Sequence, residues 1–270
     1  MKTRSLLLAA ITVFSSFVMY SQSAKPLKKV LELKIPIEGG ANGAAVAWHP
    51  VSKKYYAAMA GNTSYSLSVY DAAGKRLSPE DQTTLFDIRG MWYNTNTKTI
   101  QMNGYNESGW AEYKLDGKGL PVDIKELFTG MIQPDEQSTG AYNPKENMVY
   151  FLNEEGNIER YSLKDGVYLD DVELKLGKTK DDNADEGDNY DVIEDYNAST
   201  AVFTGIAGAE IGLLNYSNTE VELYNIKTGF LSKKFALPND APLSEFLNFS
   251  YSNGVYWLFD KEARIWKGYK

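Results

Sequence analysis

Apolar and polar residues alternate along most of this chain in short runs, and no run keeps a helical period over three turns. Segments such as "KKYYAAMAG" (53–61), "KTIQMNG" (98–104), "NMVYFLN" (147–153) and "GVYWLFD" (254–260) are rich in Tyr, Val, Ile, Phe and Trp. Polar turns of Asn, Pro, Ser, Thr and Lys bound them, which is the pattern of half-buried β-strands. A second phrase recurs downstream of these runs: "LSVYDAAG" (67–74), "WAEYKLDG" (110–117), "IERYSLKDG" (158–166) and "VELYNIKTG" (221–229). Each is a strand that ends in a polar, Gly-closed turn.

The two patterns together form a repeat. An aromatic residue precedes the polar turn at Trp48, Tyr93, Tyr142, Tyr196 and Tyr251, at intervals of 45, 49, 54 and 55 residues. Each unit parses into four strands. The first unit has "AVAWHP", "KKYYAAMAG", "YSLSVYDAAG" and "TTLFDI"; the second has "RGMWYN", "KTIQMNG", "WAEYKLDG" and "VDIKELF". The third has "TGAYNP", "NMVYFLN", "NIERYSLKDG" and "DDVELKL". The fourth has "DVIEDYN", "TAVFTGIAG", "TEVELYNIKTG" and "SKKFALP", with "AEIGLLNYSN" as a longer hairpin between its second and third strands. The fifth offers only three strands, "LNFSYSN", "GVYWLFD" and "RIWKGYK". An orphan strand, "VLELKIPI" (Val30–Ile37), stands ahead of the first unit. It supplies the missing strand and closes the ring, removing an open sheet edge. The expected fold is an all-β, five-bladed β-propeller with four-stranded antiparallel blades.

The phrases "SVYDAAGKRL" and "ELYNIKTGFLSKKF" resemble the blade ends of quinoprotein-like and surface-layer-type bacterial propellers. The resemblance is one of repeat style and spans most of Val30–Lys270. It implies a secreted bacterial propeller. Neither a WD dipeptide signature nor the paired glycines of kelch repeats are present, and no metal-ligating set for a quinone cofactor is found.

Residues 1–23 read differently. Lys2 and Arg4 precede an apolar stretch from Leu6 to Val18, and small residues follow at Ser21, Ser23 and Ala24. This is the three-part pattern of a secretory signal peptide, cleaved after Ser23 or after Ser21. It leaves one domain, 24–270, and a periplasmic or extracellular location. The sequence has no Cys, so neither a disulfide nor a lipidated Cys anchor is expected. The formal charge of −8 becomes more acidic without Lys2 and Arg4, which disfavours nucleic acid and anionic lipid as partners. No second apolar run reaches membrane-span length, so no direct membrane insertion is expected.

Candidate chemistry is sparse. Propellers bind ligands mostly at the channel mouth, where the chain enters each blade. Gly39, Gly40, Asn42, Arg89, Ser138, Thr139, Asn189, Tyr190, Asp191, Glu245 and Asn248 fall there and form a mixed polar ring for a sugar-like ligand or a partner's loop. Ordinary solvated channel lining is the plainer reading. In the acidic run 181–191, Asp181, Asn183, Asp185 and Asp188 are oxygen ligands of the kind that wrap Ca²⁺. The spacing fails the EF-hand pattern, and a solvated acidic loop explains it as well. His49, the only His, reads as a turn residue, and no G-x-S-x-G elbow exists. Glycoside hydrolysis needs two carboxylates across a cleft, and the candidates are Asp191, Glu194 and Glu245. Of 35 aromatics, 19 are Tyr; packing between blades accounts for most of them, and sugar stacking is the functional alternative. These features favour a non-enzymatic scaffold for an envelope protein, such as an accessory subunit of an outer-membrane secretion or uptake complex. A glycan or small-ligand binder and a five-bladed glycosidase are the alternatives.

Overall fold

The computed structural model describes residues 24–36, 39–180 and 193–270. Two short N-terminal strands come first, β1 (Lys25–Pro26) and β2 (Lys29–Lys34). Blade one holds β3 (Gly43–His49), β4 (Lys54–Met59) and β5 (Leu67–Asp71). Blade two holds β6 (Ile88–Asn94), β7 (Thr99–Gly104), β8 (Trp110–Leu115) and β9 (Pro121–Phe128). Blade three holds β10 (Ala141–Asn143), β11 (Met148–Leu152), β12 (Asn157–Ser162) and β13 (Tyr168–Glu173). Blade four holds β14 (Tyr196–Phe203), β15 (Ile211–Asn215), β16 (Glu220–Tyr224) and β17 (Leu231–Ala236). Blade five holds β18 (Phe249–Ser252), β19 (Val255–Asp260) and β20 (Ile265–Tyr269), and β2 is its outer strand. The innermost strands β3, β6, β10, β14 and β18 are neighbours in that cyclic order, with β18 returning to β3. The five sheets therefore stand radially around one axis, as a five-bladed β-propeller.

The ring closes as the strand count requires. β2 pairs antiparallel with β20, with Leu33 opposite Trp266 and Glu32 opposite Lys267. The closing strand is Lys29–Lys34, shorter at its C-terminal end than the expected Val30–Ile37. Its Leu33 is fully buried beside Trp257, Phe259 and Trp266. Ahead of it, β1 pairs parallel with β17, so the N-terminal segment edges two blades in succession. The sequence pattern held no sign of this second contact.

Two strand assignments need correction. In blade four, "TAVFTG" is not the second strand. It continues β14, whose register breaks between Tyr196 and Ala201. The presumed insertion "AEIGLLNYSN" contains β15, the true second strand. In blade one, "TTLFDI" does not form a regular fourth strand. Of this segment only Thr83 makes an isolated bridge, to Ser66 just ahead of β5; the other bridge to this edge, Tyr70 to Arg76, lies upstream of it, and Ile88 already belongs to β6.

The recurring turn phrase has a local cause. Asp71 Oδ1 accepts hydrogen bonds from the Ala73 and Lys75 amides, both at 2.9 Å. Asp116 Oδ1 accepts from Lys118 and Leu120, both at 2.8 Å. Asn225 Oδ1 accepts from Lys227 at 2.9 Å and Thr228 at 3.2 Å. A short side-chain carbonyl thus folds the chain back, and a glycine such as Gly229, at φ 72°, takes the left-handed position that follows.

The core is divided among the seams. Five apolar clusters lie one between each pair of neighbouring blades, the one between blades five and one being built on Leu33, Trp257, Phe259 and Trp266. Asparagines brace the axis. Buried Asn248 accepts a 2.7 Å hydrogen bond from the Gly43 amide and donates to Asn42 Oδ1, Ser244 Oγ and the Phe246 carbonyl. Asn248→Ala leaves the buried Gly43 amide unpaired and removes the amide that ties Asn42 to the 244–246 segment. It is expected to cost about 1–3 kcal/mol, read as a lower urea midpoint at unchanged slope.

Candidate functional site

Each inner strand runs from the face where the chain enters its blade to the face where it turns into the second strand. These are the entry face and the turn face. The channel holds a cavity of about 310 Å³ that is walled by all five inner strands. Small residues, Ala45, Ala47, Gly140, Ala141 and Ala201, line it between the strands and keep it open. Toward the turn face it is rimmed by Trp48, Tyr93, Tyr142, Phe203 and Tyr251, one from each blade, with Pro50, Pro144, Gly205 and Asn253 of the adjoining turns.

Each rim ring has an aromatic neighbour. Trp48 lies 4.4 Å from Tyr55, Tyr93 4.7 Å from His49, and Tyr251 4.9 Å from Tyr256. Phe203 lies 5.9 Å from Tyr150, and Trp92 stacks near Tyr142 at 6.5 Å. Rings held this way lose little freedom when a ligand stacks on them. His49, at the end of β3, is one of these supports. Its Nδ1 accepts from the Ser52 amide at 3.3 Å, and burial pushes its pKa below the ordinary imidazole value.

Among the described residues lining the cavity there is no Asp, Glu, His, Lys or Arg. Most of the wall's polar side chains are already engaged, the buried Trp92 Nε1 having no partner. Ser250 Oγ accepts from the Val46 amide at 3.0 Å, and Ser252 Oγ accepts from Trp257 Nε1 at 3.1 Å. Thr204 Oγ1 donates to the Ala209 carbonyl at 2.8 Å, and Asn253 Nδ2 donates to the Tyr55 hydroxyl at 2.8 Å. Thr139 Oγ1 accepts from Thr200 Oγ1 at 3.2 Å. The site offers stacking faces and apolar volume, with few free hydrogen-bonding groups.

The polar residues expected at a mouth lie toward the entry face. Arg89 is buried, donating to Asp87 at 2.6 Å and Gln137 at 2.8 Å with its guanidinium over the Tyr105 ring. Ser138 Oγ accepts from the Asp135 amide, and the Thr139 amide donates to the Ser199 carbonyl. Asn42 and Asn248 bond each other. The Gly39 and Gly40 carbonyls accept from Arg264. These groups join one blade to the next and spend their hydrogen bonds there; only Thr139 also lines the cavity. Glu194 and Glu245 are exposed on the entry side, away from the cavity wall. Asp181, Asn183, Asp185, Asp188, Asn189, Tyr190 and Asp191 lie outside the described residues. Among the described residues no group of three or more acids or histidines is placed to hold a metal.

One buried carboxylate was not anticipated. Glu222 on β16 accepts from the Tyr196 hydroxyl at 2.7 Å and the Tyr224 hydroxyl at 2.6 Å, and Lys234 Nζ lies 2.8 Å away. Tyr224 in turn accepts from the Gly177 amide at 3.1 Å. Burial, reinforced by this carboxylate, holds both tyrosines well above the ordinary phenol range. Glu222 and the two tyrosines are buried, Lys234 reaches them from the surface, and together they brace the seam between blades three and four. The network also explains why Tyr196, unlike its counterparts in the repeat, is not on the rim: the break in β14 moves that place to Phe203.

No family model matches this chain, and no curated protein matches it in sequence. Among solved structures it is similar to the glutaminyl cyclase of Myxococcus xanthus, with a TM-score of 0.51 and 8% identity over 92% of this chain and 97% of that one. A nidogen–laminin complex gives a TM-score of 0.43 and 15% identity over 82% of this chain and 73% of that one. The first likeness is of fold alone. It agrees with the propeller architecture and does not extend to a shared family or to the repeat style of quinoprotein-like propellers.

Proposed function

We propose that this protein is an exported, non-enzymatic β-propeller that binds a small ligand in the open, aromatic-rimmed end of its channel. The ring of five aromatic side chains over an uncharged cavity carries the reading. Its volume of about 310 Å³ is at the lower end of small-molecule pockets. Acid–base catalysis needs a group that exchanges a proton near neutrality. The ionisable groups in this wall are tyrosines, and burial raises Tyr93 and Tyr251 further from neutral pH. That argues against a glycosidase, and against carrying the neighbour's cyclase activity to this chain. The leader-like first 23 residues support export.

The test is binding to a panel of ring compounds and oligosaccharides, followed by intrinsic fluorescence. Phe203→Ala and Tyr251→Ala should each weaken binding about tenfold with little change in melting temperature. Loss of binding on Asn42→Ala, with no effect from the rim variants, would place the site at the entry face instead.

A protein partner is the second reading, favoured by the outer edge of blade three. There Val167, Tyr168 and Leu169 are 52%, 48% and 46% exposed in a row. Three consecutive exposed apolar residues at a sheet edge are a contact surface for another envelope protein. Failure of a Tyr168→Asp variant to lose any partner captured by the wild type would remove this reading.

A further inference from the structure

The rim is uncharged, but the turns that carry it are not. Lys53 follows Trp48 in the turn of blade one, Lys98 follows Tyr93 in blade two, and Lys145 follows Tyr142 in blade three. All three are exposed, and none makes an ion pair among the described residues. Lys53 and Lys98 sit at φ 52° and 61°, on the tight bend itself. These inner turns also hold Lys54 and two carboxylates, Glu146 and Glu210, which hydrogen-bond neutral groups and keep their charge, so lysines outnumber acids there. Lys54 bonds the Lys118 carbonyl. Glu146 bonds Tyr150 and Asn143, and Glu210 accepts from the Gly208 amide at 2.7 Å.

The opposite end is mainly acidic, although Lys180 and Lys261 are also exposed there. Glu107, Asp135, Glu154, Glu155, Glu194 and Glu245 are exposed on the connections and turns of the entry face. A chain of net charge −8 thus gathers free cations around one apolar opening. Fixed charges arranged this way attract an anion to that end of the molecule and repel it from the other.

We infer that the ligand is an amphipathic organic anion: an aromatic or alicyclic ring system that fills the channel, bearing one acidic group that stays at the rim among Lys53, Lys98 and Lys145. This rests on the channel being the binding site. The ring enters because the wall is largely apolar and most of its polar side chains are already bonded. The acid stays outside because the wall holds no cation, and burying an unpaired carboxylate is costly. The same wall disfavours oligosaccharides, whose many hydroxyls would lose water and find few free partners. Lysines on flexible stems suit an acidic group held in water, where no fixed bidentate geometry is required.

The experiment uses the purified full chain and three probes of equal ring size: 2-naphthoate, 2-naphthalenemethanol and 2-naphthylmethylammonium. Binding is followed by fluorescence at low and high salt. The acid should bind about tenfold more tightly than the alcohol at low salt, and this advantage should shrink as salt screens it. The cation should bind most weakly. In Lys53→Gln/Lys98→Gln/Lys145→Gln the acid should fall to the affinity of the alcohol, with the alcohol unchanged. Lys145→Gln alone, away from the left-handed positions, should give part of that loss and serves if the triple variant folds poorly. Equal affinities for acid and alcohol, a preference for the cation, or an acid preference that survives the lysine variants would overturn the inference while leaving the channel as the site. Failure of all three probes to bind would overturn both.

Discussion

The folded protein is expected to lose stability steeply between about pH 10 and pH 12. The cause is its buried tyrosines. Tyr56, Tyr70 and Tyr269 are at most 2% exposed, and burial pushes the pKa of each up to about 12. In the unfolded chain the same phenols titrate near their ordinary value of about 10. A raised folded pKa means the stabilisation is fully present below pH 10 and is lost as the pH climbs toward 12. Over that window the unfolded chain releases protons that the folded one retains, so stability falls by about 1.4 kcal/mol per pH unit for each such tyrosine. Three together give a slope of up to about 4 kcal/mol per unit, against a total stability that for most domains is about 5–15 kcal/mol. Burial also drives Tyr113, Tyr150 and Tyr256 upward. Urea unfolding at several alkaline pH values, with phenolate absorbance recorded in parallel, measures this directly. Stability that stays flat to pH 11 would mean that these hydroxyls are not sealed in the seams.

Gly90→Ala should be among the most damaging single methyl additions in the molecule. Gly90 lies on β6, where blade two meets blade three at the axis. A Cβ there would sit 2.4 Å from the Gly140 nitrogen, 2.5 Å from Asn103 Oδ1 and 2.8 Å from the Gly140 carbonyl oxygen. Two of these atoms are backbone, so relief requires the inner strands to move apart. The third accepts the 3.0 Å hydrogen bond of the Gly140 amide, so the same methyl disrupts the asparagine brace. Overpacking of this kind, with a buried donor left unpaired, should cost about 3 kcal/mol or more. Gly117→Ala is the matched control: its added Cβ meets nothing within 4 Å. A denaturant midpoint for Gly90→Ala equal to that of Gly117→Ala would contradict the close approach of β6 and β10.

The ring and its closure were legible because they follow from counting strands. Four Gly-closed turns, a fifth unit one strand short and an orphan strand at the start leave one economical arrangement. Blade four differs from its sequence pattern because a strand with a register break resembles two strands. "DYN" followed by "TAVF" has the composition of strand–turn–strand, and only pairing with β15 shows that β14 is continuous from Tyr196 to Phe203. The irregular edge of blade one is also a tertiary outcome. The Ser78 hydroxyl accepts from the Val69 amide at 3.0 Å, in place of a regular ladder bond.

The candidate site was half visible. Trp48, Tyr93, Tyr142 and Tyr251 stand out in the sequence as marks of the repeat, where packing between blades explains their regularity. The structure places them around the channel as well. Their position at the last turn of each inner strand was the available signal, since an inner strand's end must face the axis. The polar ring at the entry face has the composition of a binding site, yet Arg89, Asn42 and Asn248 hold neighbouring segments together. Sequence alone could not separate a polar group that is free from one already bonded across 206 residues, as Asn42 and Asn248 are.

The central claim is that ligand enters from the turn face and rests on the aromatic rim. Photolabelling with a diazirine derivative of 2-naphthoate, followed by peptide mapping, tests it most directly. Adducts are expected on the peptides around Trp48–Pro50, Tyr93, Tyr142–Pro144, Phe203–Gly205 and Tyr251–Asn253, all displaced by unlabelled 2-naphthoate. Displaceable adducts confined to the entry face, around Asn42, Arg89 or Ser244–Asn248, would contradict it.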